Sequence, residues 1–147
     1  MNRRTFIANT GLCALMPVVS SLSLTAAHAQ DAIKLRELYN KDLSYSDYAI
    51  SMEGKRVSVT GFMAPPLKAE SQFFVLTRRP MAVCPFCETE AEWPDDILAI
   101  YTKRIIDVVS FNTKIVTRGT LKLGSFTDPD TGFLSRVRLV DASYQRL

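Results

Sequence analysis

A mainly β fold, a small five-stranded barrel preceded by one short helix, is predicted by three features of the sequence. Apolar and polar residues alternate over residues 56–63, 113–123 and 133–142, as in strands with one buried face. Two apolar runs complete the set: 72–77, with Phe73-Phe74-Val75-Leu76, and Ile97-Leu98-Ala99-Ile100-Tyr101, a continuous run suited to a central strand. Gly61 and Gly119 sit deep in two of the alternating stretches, where glycine often marks a bulge or a sharp bend.

Residues 1–29 precede this domain and resemble an export signal. Arg3 and Arg4 are followed, after Thr5, by the apolar Phe6 and Ile7, as in twin-arginine signals. An apolar stretch leads to Ala27-His28-Ala29, a small-x-small cleavage pattern, and no acidic residue occurs before Asp31. Pro17 and the Ser/Thr residues of 20–25 dilute the apolar run below the ~20 residues of a membrane span, so no anchor is expected after cleavage. Leu12 precedes Cys13 where a lipoprotein signal wants a small residue. The expected location is the periplasm, and the expected mature protein is one domain, 30–147.

In chain order, Asp31 is placed to cap a short helix over 31–42, with Leu35, Leu38, Tyr39 and Leu43 on one face. A Tyr/Ser-rich connection, 44–51, leads to Gly54 and to the strand 56–63, in which Val57, Val59 and Met63 oppose Arg56, Ser58 and Thr60. The strands 72–77 and 97–101 flank a long irregular segment. Residues 104–110 read equally as strand or short helix. In 113–123, Ile115, Thr117, Leu121 and Leu123 oppose Lys114, Arg118 and Lys122. Asp128-Pro129-Asp130-Thr131-Gly132 has the chemistry of a tight turn into 133–142. Five short strands with two bend points suit the oligonucleotide/oligosaccharide-binding (OB) architecture, whose closure leaves few exposed edges.

The chain has 18 Lys+Arg, 15 Asp+Glu, one His and three Cys. Arg3, Arg4, Cys13 and His28 leave with residues 1–29, so 16 basic residues face 15 acidic ones, a net charge of +1, with no histidine and only Cys84 and Cys87. Near neutrality gives no overall electrostatic case for binding nucleic acid or an anionic membrane surface. Without histidine there is no Ser-His-Asp or Cys-His catalytic arrangement, and no glycine-rich phosphate loop is present. A non-catalytic role is therefore expected.

Chemistry concentrates in residues 79–96, with Cys84-Pro85-Phe86-Cys87 followed by Glu88, Glu90, Glu92, Asp95 and Asp96. Two thiolates separated by two residues can chelate one ion. Zinc would draw further ligands from Glu88, Glu90, Glu92, Asp95 or Asp96, or from a second copy in a four-cysteine homodimer site. Copper(I) accepts two thiolates, with Met81 nearby as a thioether. The same pair could cycle as a redox dithiol, although no βαβ setting surrounds it and the acidic run disfavours a thiolate. A plain disulfide, pinning a loop used for protein interaction, is the third reading.

Taken together, Gly54-Lys55-Arg56-Val57-Ser58-Val59-Thr60-Gly61-Phe62-Met63-Ala64-Pro65, Phe73-Phe74-Val75-Leu76, the cysteine loop, Val116-Thr117-Arg118-Gly119-Thr120-Leu121 and Thr131-Gly132 resemble a family of short, uncharacterised bacterial periplasmic proteins. Its members are often encoded beside ABC-type transporter components. The resemblance implies an OB-like barrel, a metal-related accessory role and partners among transporter components or other periplasmic proteins.

Overall fold

The computed structural model describes residues 31–83 and 96–147. The export segment 1–29 and the predicted ligands Cys84, Cys87, Glu88, Glu90 and Glu92 lie outside the described residues. In chain order the elements are β1 (Ile33–Lys34), a 3-10 turn (Leu35–Leu38), α1 (Asp47–Met52), β2 (Arg56–Met63), β3 (Phe73–Thr77), β4 (Ile97–Thr102), β5 (Lys114–Thr127) and β6 (Leu134–Arg146). The protein is mainly β. Its described strands form one six-stranded sheet in the order β1-β2-β3-β4-β6-β5, and β2 also pairs with β5, so the pairing returns on itself as a ring. β4 and β6 run parallel, as do β1 and β2, while the other neighbours are antiparallel.

Alternation sorts the side chains. Val57, Val59, Met63, Phe74, Leu76, Leu98, Ile100, Ile115, Leu121, Val137 and Leu139 point into the ring and form one buried core. The N-terminal segment closes one end, contributing Leu35, Leu38 and Ala49 to this core, and residues 103–113 close the other with Ile106 and Val109. A second cluster lies on the outward side of β3 and β4, where Phe73, Val75, Ile97 and Ala99 pack with Ala64 and Phe133. The Asp128–Gly132 turn brings Phe133 there, with its ring 5.3 Å from that of Phe73. β3 is consequently buried at every position.

The strand 56–63 agrees with its predicted bounds, and 73–77 and 97–102 differ from theirs by one residue at one end. The other two strands run further than predicted, to Thr127 and Arg146. The helix expected over 31–42 is absent. Ile33 and Lys34 instead pair in parallel with Val59 and Thr60, which holds their backbone extended. Only one 3-10 turn follows before Tyr39 bridges to Tyr45. Leu35 and Leu38 are buried as their spacing required, but a single turn achieves this. The helix forms later, inside the predicted 44–51 connection, where the Ser46 hydroxyl accepts the Ala49 N–H at 3.1 Å as an N-cap. Residues 104–110 adopt neither helix nor strand.

The two interior glycines differ. The β2–β5 register runs unbroken through Gly61 opposite Ile115, so no bulge occurs there. Instead a Cβ at Gly61 would lie 2.7 Å from the Thr77 carbonyl oxygen, which makes this a close backbone approach. Gly119 does face an irregularity. Arg118 pairs with Ser143 and Thr120 with Val140, so β6 spends one extra residue opposite it. The same extra residue appears against β4, where Ile100 pairs with Leu139 and Thr102 with Ala142. Asp141 occupies this bulge with φ 51°, a left-handed conformation that a residue with a Cβ rarely takes.

Candidate functional site

The base of the cysteine loop is built on the β3–β4 ladder. Thr77 pairs with Ile97, the Arg78 N–H donates to the Asp96 carbonyl at 2.9 Å, and the Thr77 hydroxyl bonds the carbonyls of Phe62 and Arg79 at 3.2 and 2.7 Å. The Asp96 Oδ1 atom is buried there with no hydrogen-bond partner among the described residues. Met81 and Asp96 are the only members of the predicted donor group within the described residues. Among those residues no three His, Cys, Asp or Glu side chains come together as metal ligands. A metal set would therefore have to draw on residues 84–95.

A second polar feature closes the β5–β6 hairpin. Asp128 is only 6% exposed, and its Oδ1 atom accepts the N–H of Asp130 at 3.0 Å and both the N–H and the hydroxyl of Thr131 at 2.8 Å. Burial would raise its pKa, but the bonds from Thr131 and Asp130 prevail and hold the carboxyl below its ordinary value. The neighbouring Tyr101 phenol, raised far above its usual range by burial first and by the Asp128 charge second, stays neutral. Its ring lies 5.0 Å from Phe73 and 5.9 Å from Phe126, and Arg138 stacks over Phe126 at 4.7 Å. This cluster secures the hairpin over β3 and β4.

Because the folded carboxyl is the more acidic one, its contribution is present above the ordinary carboxylate pKa and is lost as pH falls through the lower folded value. Asp128→Asn is expected to cost about 1–2 kcal/mol at pH 7. The difference from wild type should narrow in urea titrations carried from pH 7 towards pH 3. A gap that widens on acidification would contradict this assignment.

The third feature is a groove of about 490 Å³ on the outer side of β6 at the bulge, flanked by Arg56, Lys103, Arg104, Asp107, Asp141 and Tyr144. Lys103 and Asp141 approach to 3.8 Å across it, both well exposed. The Tyr144 hydroxyl donates to the Asp107 carbonyl and accepts the Asp107 N–H, each at 2.8 Å, tying residues 103–113 to β6. Burial raises the Tyr144 pKa, so this clasp stays protonated at neutral pH. Sequence reasoning missed these groove residues. The bulge that gathers them comes from pairing on both sides of β6, which has no local sequence mark beyond Gly119.

Among the described residues no helix is long and apolar enough to cross a membrane. No family model matches the chain, and no curated protein matches it. Among solved structures it is similar to a DUF3299 family protein from Pseudomonas aeruginosa PAO1, with a TM-score of 0.52 over 81% of this chain and 97% of that one. At 13% identity the likeness is one of fold, to a member of an uncharacterised bacterial family.

Proposed function

We propose that the chain is an exported, non-catalytic binding or accessory protein built on an OB-like barrel and working through the loop between β3 and β4. The ring β2-β3-β4-β6-β5, with its one parallel contact between β4 and β6, supports the OB assignment, because five strands closed in that order form a Greek-key barrel. The twin arginines and the Ala27-His28-Ala29 site support twin-arginine export to the periplasm.

One observation carries the choice of working surface: the loop holding Cys84 and Cys87 springs from a base locked by the Arg78–Asp96 bond and the Thr77 hydroxyl. A loop on a rigid ladder is where proteins of this kind place binding residues. Cys84 and Cys87, assisted by Glu88, Glu90 and Glu92, would hold zinc or copper, either within one chain or across a homodimer. A transporter component or another periplasmic protein would be the partner served.

The test is the metal content of protein purified anaerobically, compared with a Cys84→Ser/Cys87→Ser variant. About one ion per chain is expected, or one per two chains if four cysteines share it, falling to near zero in the variant. Near-zero content in both samples overturns the metal assignment.

A further inference from the structure

We infer that the end of the ring closed by residues 103–113 docks on a lipid surface carrying anionic headgroups. Ile105-Ile106 and Val108-Val109 are adjacent apolar pairs, and the structure splits each of them. Ile106 and Val109 turn into the core at 7% and 5% exposure, while Ile105 and Val108 stand out at 58% and 62%. Phe111 continues the outward series at the same spacing of three, and the terminal Leu147 is 68% exposed. Leu147 donates its N–H to the Lys114 carbonyl, which brings it to the strand that leaves this segment.

These side chains are held out on a fixed backbone. The Ile106 N–H donates to the Ser71 carbonyl at 2.9 Å, the Val109 N–H to Met63 Sδ at 3.4 Å, and Tyr144 clasps both backbone groups of Asp107. Nothing in the core requires Ile105, Val108 or Phe111 to be apolar. Exposed apolar residues rimmed by charge mark an interaction surface.

The charge around them indicates the partner. Lys103 and Arg104 precede the segment, Lys114 follows it, and Arg146 pairs with Ile115 beside Leu147. Against these four cations stand Asp107, Asp141 and the carboxylate of Leu147, and Asp141 already faces Lys103 at 3.8 Å. Lys68 and Glu70 in the adjoining 64–72 connection offset one another. Arg104, Lys114 and Arg146 thus stand next to the outward apolar residues without an acidic side chain paired to them among the described residues, a local placement that a total charge does not show.

A stable protein interface uses about 20–30 residues a side around an apolar core. The apolar part of this end is small, four side chains with Lys103, Arg104, Lys114 and Arg146 near them in the chain or across the β5–β6 pairing. They match what an anionic lipid interface takes up, apolar groups sinking below headgroups that pair with the surrounding lysines and arginines. The inference does not rest on the cysteine loop, which leaves β3 at the opposite end of the strand.

The 147-residue chain and its Ile105→Ser/Val108→Ser/Phe111→Ser variant, which share residues 1–29, would be co-sedimented with phosphatidylcholine vesicles with and without phosphatidylglycerol. The wild type should partition about tenfold more onto the anionic vesicles, and the variant should lose that excess. A Lys103→Glu/Arg146→Glu variant should lose it too and should decide the matter if the triple variant misfolds by circular dichroism. Equal partitioning of wild type and variants overturns the inference. So does a sedimentation-velocity result in which the triple substitution turns a dimer into a monomer without changing vesicle binding.

Discussion

Phe74→Ala is expected to lower the unfolding free energy by about 3–5 kcal/mol, a large part of the 5–15 kcal/mol available to a domain. Phe74 is 1% exposed at the centre of the ring, is the largest of the fully buried side chains, and meets Tyr144 edge-to-face with centroids 5.3 Å apart. Its removal deletes apolar contacts and leaves a cavity, because the strands on both sides of β3 are locked by their own ladders and cannot close in. The urea midpoint should drop by roughly 2–3 M if the slope is near the typical value for a small domain. The comparison is Phe126→Ala. Phe126 is 37% exposed and, among the described residues, stacks with Tyr101 and Arg138, so its truncation should cost about 1 kcal/mol. Equal midpoints for the two variants would mean that β3 does not run through the core.

The strands were legible where burial alone decides structure. Alternation marks 113–123, where one side stays open to solvent, and 56–63, whose outward side is only partly covered, while 73–77 and 97–100 are buried on both sides, so continuous apolar runs mark those. The 31–42 segment was illegible for the opposite reason. Its Leu35–Leu38 spacing is helical, but Ile33 and Lys34 are claimed by β2, a pairing across 26 residues that no local pattern announces. The cap at Ser46 with Asp47 behind it was a readable helix start, obscured by the Tyr/Ser-rich composition around it. Residues 104–110 stayed ambiguous because adjacent apolar pairs fit neither period, and the structure resolves them by sending one of each pair outward.

The candidate sites divide in the same way. The Asp128–Gly132 turn carries a local chemical mark and could be named in advance. The tying of residues 103–113 to β6 by Tyr144 could not, since Asp107 and Tyr144 are 37 residues apart. The outward Ile105, Val108 and Phe111 were equally hidden, because a sequence shows that they are apolar but not which way they face. A near-zero total charge likewise says nothing about how Lys103, Arg104, Lys114 and Arg146 gather at one end of a ring.

Gly61→Ala should be the most damaging single-methyl change in the chain, at about 2–4 kcal/mol, near or beyond the usual range for overpacking. At Gly61 β2 passes from its ladder with β5 to its short pairing with β3, and the β3 backbone crosses close by. A Cβ there would sit 2.7 Å from the Thr77 carbonyl oxygen and 2.8 Å from Leu76 Cγ. Leu76 is fully buried and cannot swing away, and Thr77 is held by its pairing with Ile97 and by its own hydroxyl. Relief would require β2 and β3 to separate, opening the ring beside the base of the cysteine loop. Gly54→Ala separates this steric cost from a conformational one: Gly54 has φ 77° and nothing within 4 Å of its would-be Cβ, so only the left-handed penalty of about 1–2 kcal/mol applies. Thermal melts should therefore rank Gly61→Ala below Gly54→Ala. The reverse order would show that β2 and β3 do not approach as closely as a side chain's width, and that the ring is looser at this junction than the pairing of Phe62 with Thr77 requires.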